Sequence, residues 1–172
     1  MKGCDYRAIE ALRDGRQAEI RALRSTDRAE LLAAVGRSSA QSLYRRFFSP
    51  KRTFTQQEVA YFTNVDFDKH VALVATLPEG GRRVIIGGAR YIVIQPGKAE
   101  VAFVVVDAYQ GLGIGAALMR HLARHAREAG LEELIAEVLA DNTAMLKVFE
   151  RSGLRSRATR DAGIVHVRLE LS

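Results

Sequence analysis

Gln110-Gly111-Leu112-Gly113-Ile114-Gly115 is the stretch of this chain whose residue types most constrain its chemistry. It follows the apolar run Val101 to Val106 closely and opens a segment with helical periodicity. A glycine cluster between a buried strand and a helix leaves several backbone N–H groups without partners and lets a ligand approach the main chain. The helix dipole adds partial positive charge there, so a pyrophosphate is accommodated even without a lysine. No G-x-x-x-x-G-K-[ST] pattern occurs, which excludes a P-loop. Gly111-x-Gly113-x-x-Ala116 does fit the dinucleotide form G-x-G-x-x-G/A, with Glu137 placed as a ribose-binding acid would be. Against that reading, Asp107 to Gln110 separate the strand from the first glycine, where that fingerprint needs a tight turn, and only one βαβ unit of the right size is present. A glycine-rich helix start that binds nothing is the remaining alternative.

Other residues carry weaker signals. Glu100 stands at the entrance of the strand leading into the loop, as a base or as a solvated strand-end carboxylate. Asn142 opens a later helical segment and either caps it or hydrogen-bonds a ligand. His121 and His125 lie four apart on a helix, but no third ligand is suggested nearby, so a solvent-facing pair and no metal are expected. Asp66, Asp68 and His70 form a polar group that touches an acceptor or shapes a loop. Cys4 has no companion base and is not proposed as a nucleophile.

Positioning such a loop takes strands and helices in a definite order. Gln17 to Leu23 predicts a first strand, and Ser25-Thr26-Asp27 offers caps for a helix through Ala29, Leu31, Leu32 and Val35, stopped by Gly36. Ala40 to Phe48 predicts a second helix, interrupted at Ser49-Pro50, and Gln56 to Phe62 a short third. Val71 to Leu77 and Arg83 to Ile94, separated by Pro78-Glu79-Gly80-Gly81, predict an antiparallel hairpin. Gln95-Pro96-Gly97-Lys98 then turns into Ala99 to Val106, which is apolar enough to be central and covered on both faces. Beyond the glycine loop, Ile114, Leu118, Leu122 and Ala126 share one helical face while Arg120, Arg124 and Arg127 mark the other, and Gly130 stops the helix. Leu134 to Leu139 predicts a buried strand, Asn142 to Ser152 a helix closed by Gly153, and Leu154 to Ala158 with Ile164 to Leu171 a terminal strand pair. Residues 17–172 thus form a single domain, and residues 1–16 are expected to be an N-terminal extension, as a short helix or a loose tail.

Bulk properties agree with one globular unit: 172 residues, 48% hydrophobic and 27% charged, with no Trp and 3 Pro. A single cysteine cannot form an internal disulfide, and neither a signal-peptide pattern nor a bilayer-length apolar run occurs, so a cytoplasmic location and no membrane insertion are expected. The net charge of +6 is concentrated early: residues 1–58 carry 12 Lys/Arg against 7 Asp/Glu, and the remainder 14 against 13. Arg45, Arg46, Lys51 and Arg52, interleaved with Tyr44, Phe47, Phe48 and Phe54, have the composition of a nucleic-acid patch. A solvated basic face beside buried aromatics is the preferred reading, with no nucleic-acid partner; steering of an anionic cofactor or an acidic protein surface is the third.

Gln110, Gly113 and Gly115 match an acetyl-CoA loop of the form Q/R-x-x-G-x-G/A, and Asn142-Thr143-Ala144-Met145-Leu146-Lys147-Val148-Phe149-Glu150-Arg151-Ser152-Gly153-Leu154 is similar to the cofactor-binding motif that follows it. In both, and in their order, the chain resembles the GNAT family of N-acetyltransferases. A finer match, in Leu12 to Gly15, Ser42 to Pro50 and Tyr61 to His70, is to the acetyltransferase domain of bacterial protein-lysine acetyltransferases. The resemblance implies an α/β (α+β) fold with a mixed, mostly antiparallel central sheet of about seven strands and helices on both faces. It implies acetyl-CoA as cosubstrate, no metal, and Glu100 as general base. Coenzyme A would be held by Gln110, Gly111, Leu112, Gly113, Ile114, Gly115 and Ala116, with Asn142 on its pantetheine arm. Backbone at Phe103, Val104 and Val105 would align the acetyl group and polarise its carbonyl. The implied acceptor is a lysine ε-amine on a protein, such as an acyl- or acetyl-CoA synthetase. A small-molecule amine acetyltransferase and a non-catalytic coenzyme A binding module are the alternatives.

A lysine amine of pKa near 10.4 is about one part in a thousand neutral near pH 7.4, so freeing its lone pair costs roughly 4 kcal/mol and calls for a base. Three departures from the family pattern stand out. Leu112 replaces a frequent Arg or Lys, and Phe149 replaces a tyrosine proposed as general acid, which is tolerable because a thiol of pKa about 8.5 leaves readily as thiolate. At 172 residues the chain is also expected to lack the regulatory domain that some of these proteins carry.

Overall fold

The computed structural model describes residues 5–27, 29–30 and 65–171. Along the chain lie β1 (Arg7–Ala11), β2 (Gln17–Ala22), a 3-10 turn (Ser25–Asp27), β3 (His70–Glu79), β4 (Arg82–Gln95), β5 (Lys98–Val105) and a 3-10 turn (Asp107–Tyr109). Then follow α1 (Ile114–Glu128), β6 (Glu133–Leu139), α2 (Thr143–Glu150), β7 (Arg155–Asp161) and β8 (Ile164–Glu170). The helix expected after Asp27 is described only at residues 29–30. The two helices expected between residues 40 and 62, the basic and aromatic cluster of residues 44–54, and Cys4 lie outside the described residues.

All eight strands join one mixed sheet in the order β1-β2-β3-β4-β5-β6-β8-β7, antiparallel throughout except where β5 meets β6. The hairpin between β3 and β4 forms as expected, although Pro78 and Glu79 belong to β3 and only Gly80-Gly81 makes the turn. The eighth strand corrects the expected helix or loose tail: β1 pairs with β2 from Arg7↔Arg21 to Ala11↔Gln17. The buried Tyr6 and Leu12 anchor its two ends, while Ile9 is 59% exposed and Glu10 reaches α1, the reverse of a simple apolar-in pattern.

α1 lies over β3, β4 and β5 and also contacts α2. Ile114, Leu118, Leu122 and Ala126 are essentially inaccessible, confirming the apolar face, and burying such a leucine contributes about 1.5–3 kcal/mol. The helix can come this close because β4 carries Gly87 beneath it. A Cβ on Gly87 would lie 3.1 Å from both Ile114 Cγ2 and the Val104 carbonyl oxygen.

On the β2 side, Arg21 holds Asp27 through two hydrogen bonds of 2.8 and 2.9 Å, and the Arg24 N–H adds a third at 2.7 Å. Burial alone would raise the Asp27 pKa, but these donors outweigh it and hold the carboxyl below its ordinary 3.8.

Candidate active site

Strands β5 and β6 run side by side only from Lys98↔Glu133 to Glu100↔Ile135. Beyond that point β5 stays on β4 as far as Gly87↔Val105, and β6 stays on β8 as far as Leu139↔Ile164, so the sheet opens between them. Alternation of the backbone decides which groups line the opening. The Val106 N–H donates to the Ile86 carbonyl at 2.9 Å and the Val104 carbonyl lies against Gly87, so the even-numbered residues spend their polar groups on β4. Val101, Phe103 and Val105 therefore turn theirs into the gap. Of the three residues singled out for aligning an acyl group, Phe103 and Val105 are thus placed to present backbone donors, and Val104 is not. The half-burial of Ala102 to Val105 reflects the same opening and corrects the expectation of full cover on both faces.

At the far end of the gap, Gln110 Nε2 donates to the Val105 carbonyl at 3.3 Å, tying the loop to the strand. Gly111 and Gly113 have φ of 82° and 90°, the left-handed region where a side chain is strained, which is why the loop needs glycine at both. Gly113 is the N-cap of α1 without a side-chain cap, and the Ala117 N–H makes the first bond of the helix, to the Gly113 carbonyl at 3.1 Å. Among the described residues, no backbone acceptor takes the N–H groups of Leu112, Gly113, Ile114, Gly115 or Ala116. They form an anion cradle at the positive end of a 15-residue helix. The Ile114 side chain does not line it, being buried against Gly87.

Glu100 sits where the two strands part, exposed, with no ion-pair partner among the described residues. Cross-strand pairing places it with Ile92 and His70 on the face opposite α1. His70 is buried, with its Nε2 3.0 Å from Arg90 Nη1. Asp66 is committed to the loop: one carboxylate oxygen accepts the N–H groups of Asp68, Lys69 and His70, each at 2.9 Å, and those bonds hold its pKa below 3.8. Asn142 caps α2, its Oδ1 accepting the Met145 N–H at 3.3 Å, which leaves its amide nitrogen for another partner. Phe149 is buried edge-on to Phe103, with ring centroids 5.8 Å apart, so it brings no proton donor to the gap.

A mixed sheet with a strand–glycine loop–helix cradle is the arrangement that the sequence resemblance implies, and the comparisons with known proteins decide the matter. The family described as Acetyltransferase (GNAT) matches residues 37–154. The chain belongs to the GNAT family. It is 33% identical to Acetyltransferase PA5475 of Pseudomonas aeruginosa over 138 residues, covering 80% of this chain and 74% of that protein. With Acetyltransferase Pat of Mycolicibacterium smegmatis the identity is 40% over 119 residues, 67% of this chain but only 34% of that longer protein. The crystal structure of the GNAT domain of S. lividans PAT superposes with a TM-score of 0.86 at 36% identity, covering 95% of this chain and 96% of that one. The GNAT chain is therefore an acyltransferase that uses acetyl-CoA, and its open cradle of N–H groups fits the pyrophosphate of that cosubstrate.

Two site features of this GNAT domain differ from the sequence reading. His121 and His125 are not a solvent-facing pair. His121 is 5% exposed, hydrogen-bonded through Nδ1 to the Tyr6 hydroxyl and through Nε2 to Glu10 at 2.6 Å. His125 is half-buried edge-on to Tyr6, and burial is the main cause that lowers its pKa below 6.5. No group of residues suited to a metal occurs among the described residues. The second feature is a neighbour of the cradle that composition did not flag. The turn between β1 and β2 docks on the glycine loop, with the Arg13 N–H donating to the Leu112 carbonyl at 3.1 Å and Arg13 Nη1 to the Gly111 carbonyl at 3.3 Å. Arg16 stacks 5.5 Å from the ring centre of Tyr109, whose hydroxyl donates to Glu79.

Proposed function

We propose that this chain transfers the acetyl group of acetyl-CoA to the ε-amine of a lysine on a protein, with Glu100 as the general base. The observation that carries this reading is the position of Glu100: an exposed carboxylate without an ion-pair partner among the described residues, at the point where β5 and β6 part. A carboxylate there accepts the proton lost by the amine, directly or through one water, as the nitrogen attacks the thioester carbonyl. The new C–N bond forms, the C–S bond breaks, and the thiolate leaves to take its proton from solvent. Phe103 and Val105 offer backbone donors toward the gap for the developing oxyanion. Gln110 with the N–H groups of residues 112–116 holds the pyrophosphate, and the Asn142 amide nitrogen, at the start of the second motif, serves the pantetheine arm.

A protein acceptor is supported by the similarity to Pat and to the GNAT domain of PAT, and by the positive charge of the first 58 residues, which favours encounter with an acidic protein surface. An acyl- or acetyl-CoA synthetase is the first acceptor to test. Incubation with isotope-labelled acetyl-CoA and a cell lysate, followed by mass spectrometry, should yield labelled lysines on protein. Glu100→Gln should lower that turnover about 10²–10⁴-fold near pH 7 with coenzyme A affinity unchanged, and the deficit should narrow as pH rises toward the amine pKa. Equal turnover of the two proteins at neutral pH would remove Glu100 from the role. Acetylation of small amines with no labelled protein would remove the lysine acceptor and leave the acetyltransferase.

A further inference from the structure

We infer that Arg13 is a positioning residue for the pyrophosphate of coenzyme A, acting by orienting the peptide units of the glycine loop. In a trans peptide unit, the carbonyl of one residue and the N–H of the next point to opposite sides. Arg13 draws two consecutive carbonyls to its own side: its N–H takes Leu112 O at 3.1 Å and its Nη1 takes Gly111 O at 3.3 Å. The N–H groups of Leu112 and Gly113 are thereby turned away from Arg13, toward the open side of the cradle where those of Ile114, Gly115 and Ala116 also emerge. The loop needs such a brace because Gly111 and Gly113, at φ of 82° and 90°, have no side chains of their own to fix these planes. The side chain lies along the loop, since a Cβ on Gly113 would meet Arg13 Nε at 3.7 Å and Cγ at 3.9 Å. Arg13 forms no ion pair among the described residues, so its head is committed to the loop carbonyl rather than to a carboxylate. It is held there by its own turn, closed by Leu12 N–H to Arg16 O at 2.7 Å and anchored by Arg16 on Tyr109.

The inference rests on the acetyl-CoA reading, and the experiment separates the two. Calorimetry with coenzyme A is expected to show that Arg13→Ala weakens binding about tenfold, the order of one hydrogen bond and the loop order it keeps. Kinetically, KM for acetyl-CoA rises by the same factor with kcat unchanged, while S-acetylpantetheine, which lacks the pyrophosphate, is used equally by both proteins. The affinity ratio of wild type to variant stays constant between about 0.05 and about 0.5 M salt, because the effect is orientation rather than charge. A thermal melt accompanies each protein, and should Arg13→Ala fail to fold, Arg13→Lys carries the test with a smaller loss in the same pattern. Coenzyme A affinity within twofold of wild type overturns the inference, as does an equal loss with S-acetylpantetheine. A ratio that collapses at high salt also overturns it, by placing the guanidinium on the phosphates themselves. Wild-type protein that binds no coenzyme A removes the cosubstrate reading together with the inference.

Discussion

Single side chains set both the chemistry and the local stability of this protein. The role proposed for Glu100 draws on a carboxylate that no described side chain pairs with, whereas Asp66, three backbone bonds deep, is a loop brace whatever its proximity to His70. Helical spacing suggested that His121 and His125 face solvent, but spacing gives a face and not what covers it; β1 brings Tyr6 and Glu10 onto that face. A pH effect follows at His125. Burial lowers its pKa below 6.5, with Glu128 opposing and with His121 and Arg124 reinforcing the shift. The unfolded chain takes up a proton near pH 6.5 that the folded protein resists, so this site costs stability as pH falls below about 6.5 and nothing above it. His125→Phe keeps a ring against Tyr6 and removes the titration. Thermal melts should show wild type losing more stability than the variant between about pH 7.5 and about pH 5.5, and parallel pH profiles would contradict this.

At the scale of elements, periodicity and turn composition located β2 to β8, α1 and α2 among the described residues. α1 is the clearest case: the residues expected inside are inside, and Gly113 and Gly130 mark its ends with positive φ. β1 was illegible because its burial runs against its composition, with Ile9 outward and Glu10 paired to a helix more than a hundred residues later. The site divided along the same line. The cradle was legible, since it is one contiguous stretch, but Arg13 was not, because its contact with Gly111 joins residues 98 apart. Parity of the backbone along β5, which separates Phe103 and Val105 from Val104, depends on the pairing with β4 and is invisible in the residue types. The close approach of β4 and α1 yields a second expectation. Gly87→Val would push side-chain atoms into Ile114 and the Val104 carbonyl, so it should cost about 1–3 kcal/mol and lower Tm by several degrees. Because Ile114 begins the helix behind the cradle, calorimetry should also show weaker coenzyme A binding; an unchanged melt would show that the packing yields without cost.

For the whole molecule, the parting of β5 and β6 leaves a sheet whose two portions share a three-residue parallel ladder, from Lys98 to Glu100. A ligand occupying the gap adds contacts to both portions, so binding and folding are linked. Acetyl-CoA at about one hundred times its Kd should add about 2.7 kcal/mol, or roughly 5–10 °C in Tm for a chain of this size, and should slow hydrogen exchange at the Phe103 and Val105 amides. Absence of both effects would mean that the ligand does not enter the gap. The docking of the β1–β2 turn on the glycine loop has a different consequence, for folding order and for engineering. Loop closure across 98 residues must precede the finished cradle, so the N-terminal hairpin leaves the ribosome long before its partner exists. Cofactor recognition is then a late, non-local property of the fold. A strand–loop–helix fragment cut from residues 98–130 and grafted elsewhere would carry every glycine of the motif but no Arg13 to orient its amides.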